Sequence, residues 1–515
     1  MISRGRLLHT LRGLAFAFTL TFVAFQPGHA LSKPGQIVVA VQQDIFITDP
    51  HRATSGVDFA MFANVYEGLV GIDDQGKLVP ELATEWTADP AGQVYTFKLR
   101  KGVKFHNGDA FTAEDVVFSW KRAKDPANKN VHASTVAARI VSIDVKDDYD
   151  ITITLDAPDY AFLENINPHW LIVPKKYVEA IGSANFADKP IGTGPFKFVS
   201  RSVGTSMEFE AFKGHWGRAP TIDGVTMKVV PDDGARVAML RTGEADMVQN
   251  VPPFMKAALD AGPDTKTVQV EPYMMFFLGL NAQSPVFDLK LRQALNHAID
   301  KRVIAEKLYF GAAKPMTMWC VSSVVGCEPM GKGYGYDPKK AKQLVAESGY
   351  DTSRPIRLWA MADNVPHAKE LAEALVYFFS EIGLKVDLSL HEYGTLLAFR
   401  GAEVKDYSKH DVLQYRWIEH NSDPLARLER VVGKGGSASF YDDPTLNALL
   451  EKVKSAKTEK IRTENLHEAF AYIDKQALVV PMFTLNSIWG LRKSLAWKPR
   501  AGFAHAVLWT LGASN

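Results

Sequence analysis

Cysteine is almost missing from this chain. Two occur in 515 residues, Cys320 and Cys327, and both sit in one short stretch. A disulfide framework spread over the fold and a four-cysteine zinc site are thereby excluded. Net charge is missing too: 59 Lys and Arg against 58 Asp and Glu leave +1. No basic run concentrates cations on one element, which argues against a nucleic-acid partner. Beyond the N-terminal segment, no apolar run approaches the ~20 residues a membrane-spanning helix needs. Catalytic signatures are also lacking. There is no Gly-x-Ser-x-Gly elbow, no His-Glu-x-x-His, and no carboxylate pair that stands apart from solvated acids. Gly192-Thr193-Gly194-Pro195 is followed by no Gly-Lys-Ser/Thr, so it reads as a backbone turn and not as a phosphate loop. No catalytic residue, cofactor or metal is expected.

What is present is an ordinary globular composition, 46% hydrophobic and 23% charged. At roughly 150 residues per domain the length predicts about three lobes. The start of the chain reads as an export signal. Arg4, Arg6 and Arg12 precede the short apolar run Leu14 to Phe25, and Gly28-His29-Ala30 is a small-residue cleavage site. Cleavage after Ala30 is expected, and with no cysteine there, no lipid anchor. The protein is then exported and diffusing, periplasmic in a cell with two membranes. In that oxidising compartment Cys320 and Cys327 are expected to form a disulfide, a thiolate metal site lacking nearby His partners.

The stretch Tyr95 to Trp120 is the clearest local signal. Tyr95, Phe97 and Leu99 alternate with Thr96, Lys98 and Arg100 as in a half-buried strand, and Asn107-Gly108 supplies a tight turn. Thr112 and Asp115 have capping-box spacing, so Val116, Val117 and Trp120 are predicted on the buried face of a helix. Met274 to Leu278 reads as a strand buried on both faces. Further on, Asp337-Pro338 opens a helix that Gly349 ends, Ile356 to Trp359 is a strand, and Leu371, Leu375, Phe378 and Ile382 recur at helical spacing. Leu384, Val386, Leu388 and Leu390 then alternate. A strand-helix-strand unit of this kind implies parallel pairing in an α/β fold.

The same Tyr95–Trp120 stretch resembles the signature of the extracellular solute-binding proteins of bacterial ABC importers, in the peptide, nickel and opine class. Pro190-Ile-Gly-Thr-Gly-Pro-Phe-Lys-Phe198, Ala294-Leu-Asn-His-Ala-Ile-Asp-Lys-Arg302 and Tyr336-Asp-Pro-Lys-Lys-Ala-Lys-Gln-Leu344 are similar to further blocks of that family, in its order. The resemblance implies a two-lobed α/β periplasmic binding protein fold (type II, large class) with an accessory subdomain and two hinge strands. It divides the chain into residues 1–30 as signal, 31–76, 190–277 and 486–515 as lobe I, 77–189 as the accessory subdomain, and 278–485 as lobe II. It implies a monomeric, non-enzymatic receptor that hands a small-molecule ligand to an ABC permease. A secreted hydrolase is the competing class.

The resemblance also places the ligand. Ser55 and Gly56 lie in a small polar turn that lines the cleft in dipeptide-binding relatives. In those relatives the loop after the strand Asp411 to Tyr415 carries an Asp that pairs with the ligand's α-ammonium; here Trp417, Asp423 and Pro424 keep the frame and His420 takes the acidic position. An imidazole cannot replace a fixed carboxylate opposite a buried ammonium. Where dipeptide binders place an Arg for the ligand carboxylate, an ungapped match puts Ala362. Tyr393, Tyr415 and Trp417, with Trp319, offer stacking faces, and Asn364, Glu419, His420 and Asn421 offer polar contacts. Asp423 is expected to cap or turn before Pro424. Opine-like solutes, glycosides and modified amino-acid conjugates are favoured over ordinary dipeptides, with backbone-bound peptides as the alternative. Nickel through His420 ranks low because no second His stands at ligand spacing.

Overall fold

The computed structural model describes residues 35–513 apart from 54–57, 74–76, 129–132, 168, 218–219, 271–273, 322–323, 328–332, 364–365, 402–405, 407, 419–422, 437, 440 and 500–510. Two large sheets divide the chain. Among the described residues the first has seven strands, in the order Thr265–Val270, Ser487–Arg492, Met247–Val248, Gln36–Val41, Gly224–Val229, Ser206–Ala211 and Phe196–Ser202. The second has six, in the order Ala313–Pro315, Val479–Leu485, Met274–Leu280, Val412–Ile418, Ile356–Met361 and Val386–His391.

The chain passes between these sheets twice, side by side. Val270 pairs with Ser487 in the first sheet and Met275 with Thr484 in the second, so the crossings fall at 271–273 and at Asn486. Met275, Phe276, Phe277 and Leu278 have no more than 1% exposure, as expected for a strand covered on both faces. Ile356–Met361 and Val386–His391 pair in parallel, the helix Ala368–Glu381 crossing between them.

A four-stranded antiparallel sheet, Ala83–Ala88, Val94–Leu99, Asp150–Leu155 and Ile140–Asp147, forms the accessory subdomain. Tyr95, Phe97 and Leu99 alternate into its core. Thr112 N–H donates to Asp115 Oδ2 at 2.9 Å, the return bond of the capping box, and Gly108 takes a left-handed φ of 94° in the turn. The buried stripe of helix Ala113–Lys124 runs through Ala113, Val116, Ser119 and Ala123. Val117 and Trp120 are only half-buried, because a 12-residue helix against one small sheet covers a narrow face.

Packing draws the subdomain boundary differently from the family blocks. Leu69 and Val70 join the accessory core, whereas Leu171, Val173, Val178 and Phe186 pack into the core of the first lobe. At the junction a Cβ on Gly192 would stand 2.1 Å from Val65 O, and one on Gly194 2.7 Å from Val65 C. Close approach, not phosphate binding, is why glycine is needed there.

Cys320 and Cys327 are disulfide-bonded with Cα atoms 5.3 Å apart. No helix among the described residues is long and apolar enough to cross a membrane.

Candidate ligand-binding site

The crossings fix which edges of the two sheets face each other. In the first sheet Gln36–Val41, Gly224–Val229 and Met247–Val248 run parallel, and Thr265–Val270 runs with them, so its exit at Val270 marks their common C-terminal edge. In the second sheet Met274 pairs with Ile418, so the crossing leaves beside the C-terminal end of Val412–Ile418. Ile356–Met361 and Val386–His391 run parallel to that strand and end at the same edge. Both lobes therefore turn the carboxyl ends of their parallel strands toward the hinge, where α/β sheets present binding loops.

In the first lobe that edge is held by a group the sequence reading missed. Arg236 is 1% exposed. Its guanidinium donates to Val230 O (2.7 Å), Pro231 O (2.9 Å), Gln249 O (2.9 Å) and Asn250 O (3.3 Å), fastening the loops after two parallel strands. An Arg on the same helical stripe as Val237 and Leu240 was the available signal. Asn250, at a left-handed φ of 54°, donates through Nδ2 to Gln42 Oε1 at 2.8 Å and accepts from Ser487 Oγ at 3.1 Å. It joins the loop after the first strand to the start of a hinge strand.

In the second lobe the segments after two adjacent parallel strands, Ile356–Met361 and Val386–His391, meet. Asp363 Oδ1 accepts the Tyr393 N–H at 2.6 Å, and Ala362 N–H donates to His391 O at 2.8 Å. The Arg416 guanidinium lies 4.8 Å from the Tyr393 ring centroid, a cation-π pair half-shielded from water. Trp417 is half-buried, and Arg430 stands 5.7 Å from its ring. Burial lowers the pKa of His391, whose ring lies 4.3 Å from that of Trp359.

The strand runs to Ile418, not to Tyr415, so Trp417 is a strand residue opposite Met275 and not part of the loop. Tyr415 is corrected more sharply. It is 1% exposed, stacked on Phe277 at 5.0 Å, and its hydroxyl donates to Ala438 O at 2.8 Å. It is a core residue with its polar end satisfied, and it presents no face to a ligand. Trp319, 3% exposed against Phe277 and Arg427, is likewise core. Strand alternation puts Arg416 on the face opposite Tyr415 and Trp417. The residue the sequence reading passed over at this edge is Arg416, between two aromatics in sequence and packed on Tyr393.

Asp423 caps as expected: its Oδ1 accepts Leu425 N–H at 2.8 Å, while Oδ2 pairs with Arg462. Ser55, Gly56, Asn364, Glu419, His420 and Asn421 lie outside the described residues. A depression of about 580 Å³ lined by Gln36, Phe209, Lys213 and Asp223 lies toward the N-terminal ends of the first lobe's strands, away from the hinge edge.

Comparison with known proteins agrees with this geometry. Residues 77–439 match the family model described as bacterial extracellular solute-binding proteins, family 5 Middle. The chain is 29% identical over 445 residues to heme-binding protein A of Haemophilus influenzae, covering 78% of each. It is 30% identical over 409 residues to the dipeptide-binding protein of Escherichia coli K12, covering 73% of this chain and 74% of that protein. The structure of a periplasmic binding protein, DppA of Helicobacter pylori, in complex with the peptide STSA superposes with a TM-score of 0.77 at 26% identity, over 94% of this chain and 98% of that one. The chain belongs to the family 5 bacterial extracellular solute-binding proteins. It is the substrate-binding component of an ABC importer.

Proposed function

We propose that this protein captures a compact organic solute bearing a carboxylate, opine-like or a modified amino-acid conjugate ahead of a glycoside, and not an ordinary dipeptide held by its amino terminus. The observation that carries this reading is the Arg416–Tyr393 pair at the hinge-facing edge of the second lobe. A guanidinium held beside an aromatic ring is a planar cation of the kind that recognises carboxylates, and shielding from water strengthens such a contact. His420 in place of the family's acidic residue supports the same exclusion, since a ligand ammonium would be desolvated without a countercharge there.

The ligand set in this reading is Tyr393 as an apolar wall and Arg416 as the anion contact on one face of the second sheet, Trp417 meeting the ligand from the other face at the end of its strand, and Ser55, Gly56, Asn364, Glu419, His420 and Asn421 from the neighbouring segments. The mature protein starts at Leu31, works as a monomer in the periplasm without a lipid anchor, and closes over the solute because the closed form binds it better. Peptide binding through backbone contacts is the second reading, favoured by the identity to the dipeptide-binding protein of E. coli.

Thermal-shift measurements on ligand-stripped protein decide between them, because a ligand that prefers the folded form raises the melting temperature. Octopine or hippurate is expected to raise it by several degrees and Ala-Ala to leave it unchanged. A strong shift with dipeptides, and none with octopine or hippurate, rejects the proposal.

A further inference from the structure

One of the two crossings is a support shared by both lobes. Met247–Val248 lies beside Ser487–Arg492 in the first sheet, and Ala313–Pro315 lies beside Val479–Leu485 in the second. These two partners are one stretch of chain, continuous through Asn486. The segments that flank it are therefore brought face to face from opposite lobes. On the first-lobe side Val251 N–H donates to Ile488 O at 2.8 Å, and on the second-lobe side Asn486 N–H donates to Ala312 O at 3.0 Å. Each segment carries an exposed aromatic: Phe254, 54% exposed in the short turn Pro253–Met255, and Phe310, 53% exposed just before Gly311 and Ala312. Their ring centroids are 6.2 Å apart, a contact between side chains of different lobes.

Phe310 is held there against the preference of its backbone. Ala312 N–H donates to Tyr309 O at 2.8 Å, and the two residues inside that turn, Phe310 and Gly311, have φ of 49° and 79°. A tight turn with both central residues left-handed favours Asn-Gly, and a bulky aromatic at the first place is strained. Core packing does not hold the ring, which is half out in water; among the described residues its ring partner is Phe254. The backbones on either side are fixed. Tyr309 is fully buried, 4.9 Å from the Phe483 ring, and its hydroxyl donates to Pro366 O at 3.1 Å. Pro252 and Pro253 stiffen the turn that carries Phe254. With both turns tied to the same hinge strand, a bend at Asn486 changes the separation of the rings.

We propose that Phe254 and Phe310 form a clasp across the hinge that draws the empty receptor toward closure before a solute arrives. The inference rests on the inter-lobe reading of the site and adds its control. Both rings stand at the edges the lobes turn toward each other, so opening the lobes parts them and returns their shared faces to water. An aromatic pair of this kind shifts an equilibrium by about threefold to tenfold. A solute that binds the closed form then finds more of it, and its apparent affinity rises in the same proportion while the closed fraction is small.

The test reads lobe separation without any ligand. Spin labels at Val203→Cys, in an exposed hairpin turn of the first lobe, and at Lys369→Cys, exposed on the second-lobe helix Ala368–Glu381, report it by pulsed dipolar spectroscopy on protein stripped by unfolding and refolding. In Phe254→Ala the ratio of short to long distances is expected to fall about threefold to tenfold. Phe310→Asn supplies the residue the turn prefers, so it should fold as the wild type does and still lose closure to the same extent. The double variant should fall no further than either single one, and Phe254→Tyr should match the wild type. Unchanged distances in Phe254→Ala or Phe310→Asn, or losses that add in the double variant, overturn the clasp and leave the ligand site standing. Conversely, a clasp that behaves as expected, with no further shortening by octopine, hippurate or Ala-Ala, would reject the site and keep the clasp.

Discussion

Two buried arginine-aspartate pairs differ in what they join: one ties the accessory subdomain to the first lobe, the other lies wholly within the second lobe. Arg122 meets Asp49 of the first lobe in a two-pronged bond of 2.8 and 2.6 Å, with 4% and 0% side-chain exposure. Ser183 Oγ accepts a further bond from Arg122 at 2.8 Å. Every prong is used, so this joint is fixed. Arg462 and Asp423 are as buried, at 8% and 7%, but both belong to the second lobe, so their pair braces that lobe internally.

Breaking the fixed seam should have the largest effect. Arg122→Met leaves Asp49 buried without a partner and is expected to cost about 3–5 kcal/mol of stability, read by denaturant unfolding. Limited proteolysis should then release the accessory subdomain first. The seam made by Arg122 and Asp49 also weakens in acid. His51 lies in it, with Nε2 donating to Leu171 O at 2.8 Å. Burial, and then Arg122, lower its pKa from 6.5 to about 4. The unfolded chain thus binds the extra proton, and stability present above 6.5 is lost as pH falls toward 4, by up to about 3 kcal/mol. A melting temperature that holds constant between pH 7 and pH 4 would contradict this; His51→Asn should flatten the decline.

Smaller effects separate wall from core. Trp417→Ala should abolish the thermal shift given by the active probe while costing about 2 kcal/mol or less, because the ring is only half-buried. Tyr415→Phe should cost about 1 kcal/mol for the lost bond to Ala438 O and leave ligand affinity unchanged. A ligand defect in Tyr415→Phe would undo its assignment to the core.

Much of this architecture was legible because it is local. Alternation at Tyr95–Leu99, the Thr112–Asp115 cap and the parallel unit around Ile356–His391 each follow from residues near in sequence. The disulfide followed from two cysteines seven positions apart. What could not be read was which side of a strand meets the partner sheet. Tyr415 and Arg416 are neighbours in sequence, and only long-range pairing with Phe277 decides that the first is buried and the second faces Tyr393. Arg236 escaped for a similar reason: its acceptors are carbonyls of loops brought together by strand order.

Hydrogen exchange on protein as isolated, compared with the same protein after unfolding, dialysis and refolding, tests the central claim most directly. If the solute sits where the carboxyl ends of both sheets meet, its removal should raise exchange in segments 249–251, 361–367, 391–396 and 412–425 together. Protection confined to the depression around Gln36, Lys213 and Asp223, with those segments unchanged, would contradict the account.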